Sequence, residues 1–222
     1  MHQLIVTEDG SHTLTSEKFG VTYHSIHGAI QESSHVFIEA GLKYFCQQSK
    51  NIFILEVGLG TGLNALVTLD FALTHDIIID YCAIEAYPIS IEIVNELNYT
   101  NLLDKLNLQH YFLEIHQSEW NSNFQLHNNF SLLKKNNFLE NTNFKSNTFD
   151  LIYFDAFAPN EQPELWDEAI FQKLYNSLKN KGVLVTYCAK GAFKRTLKSC
   201  GFIIENLPGP PGKREMVRAI KP

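Results

Sequence analysis

Residues 55 to 62, Leu55-Glu56-Val57-Gly58-Leu59-Gly60-Thr61-Gly62, set three alternating glycines between an apolar run, Ile52-Phe53-Ile54-Leu55, and a helix-like stretch, Leu63-Asn64-Ala65-Leu66-Val67-Thr68-Leu69. This commits the chain to a strand, a tight loop and a helix in immediate succession. Glycines in such a loop tolerate positive φ and let backbone approach a ligand more closely than any Cβ permits, and the helix opens with unpaired N–H groups. The order is that of a cofactor loop. A dinucleotide fingerprint beginning at Gly58 requires glycine at position 63, and that residue is Leu63. Taken alone, the cluster is also compatible with a turn that binds nothing.

A second acid narrows the reading. The run Ile77-Ile78-Ile79-Asp80-Tyr81-Cys82-Ala83-Ile84 has the character of a buried strand and delivers Glu85 to its carboxyl end, 25 positions after Gly60. A carboxylate there can accept both hydroxyls of a ribose; in isolation it is equally a solvated strand-end acid. Strand, glycine loop, helix, strand and acid, in that order, describe a mononucleotide-binding crevice. An acid two residues before alternating glycines, here Glu56, resembles the first motif of the class I methyltransferases, which bind S-adenosylmethionine.

The 222 residues suffice for one sizeable core, and 45% apolar with 19% charged residues is ordinary for a globular chain. The expectation is a single domain over 1–222, with an appendage at 1–50 and a Rossmann-like core at 51–222. No apolar stretch approaches the roughly 20 residues that cross a bilayer, and the amino terminus lacks a basic start followed by an apolar core. A cytoplasmic protein without a membrane partner is therefore expected. Cys46, Cys82, Cys188 and Cys200 form no C-x-x-C pair and read as buried free thiols, and the scattered histidines imply no metal.

Strands and helices alternate along the chain. In the appendage, 14–16 and 21–25 read as short strands around Gly20, and 34–42 as a helix. The asparagine-rich stretch 121–147 reads mostly as a solvated insertion around one buried strand, Phe130-Ser131-Leu132-Leu133. Central strands follow at 149–154 and 182–187, with a helix near 167–178. Residues 202–206 and 216–219 flank a proline- and glycine-rich turn, which predicts an antiparallel hairpin at one edge. Parallel β/α units ending in such a hairpin match the class I methyltransferase sheet.

Asp155 begins the segment Asp155-Ala156-Phe157-Ala158-Pro159-Asn160-Glu161-Gln162-Pro163-Glu164-Leu165-Trp166, just beyond the strand 149–154. Ligands of open α/β sheets lie outside the carboxyl ends of the strands, so this carboxylate shares a crevice with the glycine loop and Glu85. It can hold an amine against an electrophilic methyl group, or simply cap the following turn. Phe157 and Trp166 can stack on a base or pack as core.

Three segments carry a stronger resemblance: Glu56 to Asn64 (E-V-G-L-G-T-G-L-N), Asp155 to Trp166, and Gly209 to Met216 (G-P-P-G-K-R-E-M). Together they resemble the methyltransferase module of the bifunctional tRNA-modifying MnmC family, over most of the chain from about Tyr23 to Arg218. The resemblance implies methyl transfer from S-adenosylmethionine to the aminomethyl nitrogen of 5-aminomethyl-2-thiouridine at the tRNA wobble position. It makes Asp155 the catalytic residue and Glu56, Gly58, Gly60, Gly62, Asn64 and Glu85 cofactor-binding. The bifunctional enzymes continue into a flavin-dependent oxidase; this chain stops at Pro222, so neither a fused oxidase nor flavin is expected. An adenine-contacting acid of this class is replaced here by Asn136 or Asn137.

An RNA partner must be reconciled with a net charge of −6. Residues 179–222 hold ten basic and two acidic residues, a local +8 that leaves −14 elsewhere. Phosphate binding depends on the local field rather than the total. Lys190, Lys194, Arg195, Lys213 and Arg214, with Phe157, are the candidate tRNA contacts, whereas Lys179, Lys181 and Lys221 read as solvated. Glu215 is expected to pair with Arg214 or Arg195. Alternative readings are N-methylation of a small amine or protein side chain, a non-catalytic RNA-binding module of the same fold, or an NAD-linked oxidoreductase.

Overall fold

Strands β1 (Gln3–Val6) and β2 (His12–Thr15) open the chain as a separate antiparallel hairpin. The computed structural model describes residues 3–103 and 107–222. After the hairpin, α1 (Ala29–Ser33) runs directly into a nine-residue π-helical stretch (Ser34–Leu42) and then α2 (Lys43–Phe45). The first parallel unit is β3 (Asn51–Val57), α3 (Leu63–His75) and β4 (Ile78–Glu85). Helices α4 (Ile91–Glu96), α5 (Tyr99–Leu102) and α6 (Leu108–Gln117) lead to β5 (Asn123–His127) and β6 (Phe130–Asn136). The second half contains β7 (Phe149–Phe154), α7 (Glu168–Ser177), β8 (Leu178–Thr186), α8 (Gly191–Ser199), β9 (Ile203–Pro208) and β10 (Glu215–Ile220).

Eight strands form one sheet in the order β5-β6-β4-β3-β7-β8-β10-β9. The interior pairs β6–β4, β4–β3, β3–β7 and β7–β8 are parallel, whereas β10 inserts antiparallel between β8 and β9. This matches the mostly parallel sheet and terminal hairpin expected from the sequence. Every residue of β7 is buried, because helices cover both faces of the sheet, and that accounts for its nearly unbroken apolar run. Ile54, Leu151, Tyr153 and Val183 pack towards α3, α6 and the π-helical stretch. Leu55, Ile152, Phe154 and Leu184 pack towards α7 and α8. The exception in β7 is Asp150, which accepts hydrogen bonds from Phe53 N and Lys179 Nζ, both at 2.9 Å, so its charge is buried with partners.

Two local expectations are corrected. In the appendage the ladder joins 3–6 to 12–15, and the 21–25 segment contributes only the single bridge Thr15–Thr22. Gly20 at φ +69° turns the chain away, and Tyr23 lies over Gly60. In the asparagine-rich stretch the expected buried strand at 130–133 is present within β6, and the correction is a second strand, β5, beside it. It contains two strands, β6 lying parallel on β4 and β5 pairing antiparallel outside it. Phe130, Leu132 and Lys134 alternate to the buried face, Lys134 with its ammonium donating to His116 O at 2.7 Å, while Ser131, Leu133 and Lys135 lie on the half-buried opposite face. Phe130 is fully buried, and Phe130→Ala should destabilise the protein by about 3–5 kcal/mol in urea unfolding, as for a core phenylalanine; a change within about 0.5 kcal/mol would contradict its burial.

Candidate active site

Parallel pairing of β3 with both β4 and β7 brings the glycine loop, Glu85 and Asp155 together at one edge of the sheet. Gly58, at φ +89°, donates its N–H to Ile84 O at 3.0 Å. A Cβ on Gly58 would lie 2.7 Å from the Asp155 carbonyl oxygen, so only glycine fits between the two strand ends. Gly60, at φ +50°, lies under the Tyr23 ring, which a Cβ would approach to 2.9 Å. Gly62 caps α3 and faces His116. The Glu85 carboxylate turns back on this loop: it accepts from Gly60 N and Tyr87 N, each at 2.8 Å. Burial pushes its acidity weaker than usual, and those backbone donors oppose the shift.

Asp155 follows β7 directly, and its N–H donates to Val57 O at 3.0 Å. Asn64, 2% exposed on α3, donates Nδ2 to Asp155 Oδ2 at 2.8 Å and accepts the Ser33 hydroxyl on its own Oδ1. The carboxylate is thus fixed from a buried amide while its remaining surface faces a cavity. Burial first, and the charge of Glu32 second, push the Asp155 carboxyl up to about 7, against the opposing pull of Asn64 and Lys213. Glu56 lies beneath the loop with no exposure, and neither carboxyl oxygen makes a hydrogen bond of ordinary geometry. Burial holds its carboxyl well above the usual range, favouring the neutral acid.

The cavity is lined by Tyr23, Glu32, Glu85, Asp155, Phe157 and Tyr187, with Gly58 at its floor. Phe157 packs its ring against Phe19 at 4.6 Å and Tyr23 at 5.2 Å. Trp166 belongs to the core instead, against Phe154 and Phe193, and its Nε1 donates to Phe157 O at 2.7 Å. Glu56, Asn64, Gly60 and Gly62 support the cavity from behind rather than lining it. Asn136 ends β6 opposite Glu85, and Asn137 N donates to Glu85 O at 3.2 Å; both lie outside the cavity.

Sequence reasoning missed Ser33 and Tyr187 and gave Glu32 no role. Glu32 carried a usable signal: an acid among Ala29, Ser33, Val36 and Phe37 interrupts an apolar helix face, and the structure buries it. The basic residues also divide. Lys213 turns inward to pair with Glu32 and lies 4.4 Å over the Tyr187 ring. Lys194 pairs with Glu215 at 3.3 Å, so the partner of Glu215 is neither Arg214 nor Arg195. Proximity decides this, since one turn of α8 places Lys194 beside β10. Lys179 and Lys221 are held structurally rather than solvated, Lys221 by the carbonyls of Tyr175 and Leu178 and by Asn147. Lys190, hydrogen-bonded to Asn160 at 2.8 Å, and Arg214 border a shallow groove beside the cavity mouth, while Arg195 is exposed on α8 outside it.

A mostly parallel sheet with an antiparallel inserted strand, a glycine loop after β3, an acid ending β4 and a carboxylate after β7 defines a class I, Rossmann-like methyltransferase. The chain belongs to the S-adenosyl-L-methionine-dependent methyltransferase family whose model matches residues 99–222. Among curated proteins it is 29% identical over 231 residues to the tRNA 5-methylaminomethyl-2-thiouridine biosynthesis bifunctional protein MnmC of Burkholderia mallei and of Burkholderia pseudomallei. The match covers 96% of this chain and 34% of each relative, so the chain spans about a third of their length. Among solved structures, MNMC2 from Aquifex aeolicus superposes with a TM-score of 0.78 at 23% identity, covering 99% of this chain and 69% of that one. A probable spermidine synthase from Corynebacterium glutamicum shares the fold more distantly, with a TM-score of 0.56, 14% identity and coverage of 99% and 76%.

Among the described residues no helix is long and apolar enough to cross a membrane, and no cluster of three or more His, Cys, Asp or Glu side chains is placed to hold a metal ion. Gly58→Ala should weaken S-adenosylmethionine binding at least about tenfold in calorimetry, because both backbone conformation and space are lost. Gly20→Ala is the control, since that position has positive φ but open space around it; its binding should match the parent.

Proposed function

We propose that this protein transfers a methyl group from S-adenosylmethionine to the aminomethyl nitrogen of 5-aminomethyl-2-thiouridine at the tRNA wobble position, giving 5-methylaminomethyl-2-thiouridine. The observation that carries this reading is Asp155: a carboxylate at the end of β7, anchored by Asn64 and facing a cavity floored by the glycine loop. The MnmC relatives, named for biosynthesis of tRNA 5-methylaminomethyl-2-thiouridine, support the choice of substrate. The residues fit the cofactor, because the cradle at Gly58 is one a Cβ would fill and Glu85 stands where ribose hydroxyls require an acceptor. Backbone at Gly58 and the Glu85 carboxylate would hold it, with Tyr23 as a roof. When bound, it supplies a methyl group on a positively charged sulfur.

The amine must be neutral to attack, yet an alkyl amine resembles lysine, with a pKa of about 10.4. Asp155 accepts an N–H hydrogen bond and points the nitrogen lone pair along the displacement line. The carboxylate would stabilise the positive charge that develops on the nitrogen as it becomes methylated. The surplus proton leaves to Asp155 or to solvent. A carboxyl raised to about 7 is a better proton acceptor than an ordinary aspartate, and it is ionised above that pH.

The tRNA backbone would meet Lys190 and Arg214 at the groove beside the cavity mouth, with Arg195 further along α8. This reading needs neither flavin nor metal in the methyl-transfer step. Asp155→Ala should lower single-turnover methylation of aminomethyl-tRNA by about 100-fold or more and change S-adenosylmethionine affinity by only a few-fold. Near-normal methylation by that variant would remove Asp155 from the chemistry, and methylation of free amines in preference to tRNA would replace the substrate.

A further inference from the structure

Glu32 and Lys213 meet beside Asp155 from opposite ends of the chain. Glu32 lies on α1 with an 8% exposed side chain; Lys213 lies in the turn between β9 and β10 and is 31% exposed. Lys213 Nζ donates to Glu32 Oε1, and Glu32 Oε2 accepts Ser25 N at 2.7 Å. The lysine also sits over Tyr187, whose hydroxyl donates to the carbonyl of Ala156, the residue after Asp155. All three charged groups line the same cavity.

Fastening the chain ends does not account for this pair. His35 Nε2 contacts Pro208 O at 2.8 Å, Arg218 Nη1 donates to Ala40 O at 3.1 Å, and Gly212 packs against His27, so the appendage and terminal hairpin are already joined. A largely buried ion pair is moreover a weak source of stability, since desolvation offsets its attraction. What distinguishes it is its place next to the one carboxylate that faces the reacting amine.

We propose that Glu32 and Lys213 are positioning residues that set the protonation of Asp155 from opposite sides, Glu32 favouring the neutral acid and Lys213 the carboxylate. This rests on the reading of Asp155 as the amine-binding group. Burial displaces most of the other titratable groups around it towards their neutral forms. Burial pushes up the carboxyl of Glu56, from β3, and the phenols of Tyr81, from β4, and Tyr187, after β8. His24, buried beside the pair, is pushed down to about 4 and is also neutral. Two further carboxylates line the cavity, Glu85, which is turned onto the backbone of Gly60 and Tyr87, and Glu161, in the loop after Asp155. Glu32 therefore makes Asp155 a willing acceptor of the amine proton, and Lys213 keeps it from holding one permanently.

The test follows Asp155 directly by NMR titration of the protein carrying carboxyl-13C aspartate, with Asp155→Asn assigning the signal. In the parent the midpoint should lie near 7. Glu32→Gln should move it down by about one pH unit, and Lys213→Met up by about half a unit or more. Glu32→Asp and Lys213→Arg keep the charges and should stay near the parent, which separates charge from packing and serves if a neutral variant fails to fold. Unmoved midpoints, or shifts of the same sign in both neutral variants, overturn the proposal. Methylation of aminomethyl-tRNA across pH is measured on the same proteins, and its acid limb should follow the midpoints. Opposite shifts without any tRNA methylation by the parent would leave the pair's role standing and reject the tRNA reading; methylation with unmoved midpoints would do the reverse.

Discussion

The close approach of Gly58 to Asp155, where β3 and β7 end side by side, is the contact on which the rest of the site depends. Parallel pairing puts the Asp155 N–H on Val57 O and leaves no room for a side chain at position 58. The glycine loop must then turn outward, which gives α3 its start and puts Asn64 within reach of the Asp155 carboxylate. The same register brings Glu85, at the end of β4, back onto the loop. One backbone contact therefore aligns the group that would receive the ribose with the group that would receive the amine.

Electrostatics then act on a geometry already fixed. Asp155 is enclosed by protein although part of its surface meets the cavity, and little water screens its neighbours there. Glu32 and Lys213 come from segments that are not part of the central β/α units, so the appendage and the terminal hairpin contribute chemistry as well as cover. The C-terminal positive charge serves several purposes at once. Lys179, Lys194, Lys213 and Arg218 are paired with carboxylates and Lys221 is held by backbone carbonyls, whereas Lys190, hydrogen-bonded to the neutral Asn160, and Arg214 border the groove near the cavity.

Much of this architecture was legible in the sequence because it depends on local patterns. The apolar runs of β3, β4 and β7 and the glycines between the first strand and helix have short-range causes, and Asp155 stands at a strand end in any parallel arrangement. The proline- and glycine-rich turn likewise announced the terminal hairpin. What escaped depends on contacts between distant segments. Nothing local to Lys213 reveals that it pairs with a residue 181 positions away, and Lys194 rather than Arg195 meets Glu215 because of helix phase. Within 121–147 the apolar run of β6 was legible, whereas β5 was obscured because it is an edge strand with Asn123 and Gln125 exposed and only Leu126 buried.

If Asp155 receives the amine, its raised carboxyl lies beside the sulfonium of bound S-adenosylmethionine. Calorimetric titration of S-adenosylmethionine and of S-adenosylhomocysteine between about pH 6 and pH 8.5 tests it most directly. The two differ in the charge on sulfur, and a positive charge beside Asp155 favours its ionised form. Affinity for S-adenosylmethionine should therefore rise relative to its product as pH increases through about 7, with proton release on binding below that point, and Asp155→Asn should abolish the difference. Identical pH dependence of the two ligands in the parent protein would contradict the account.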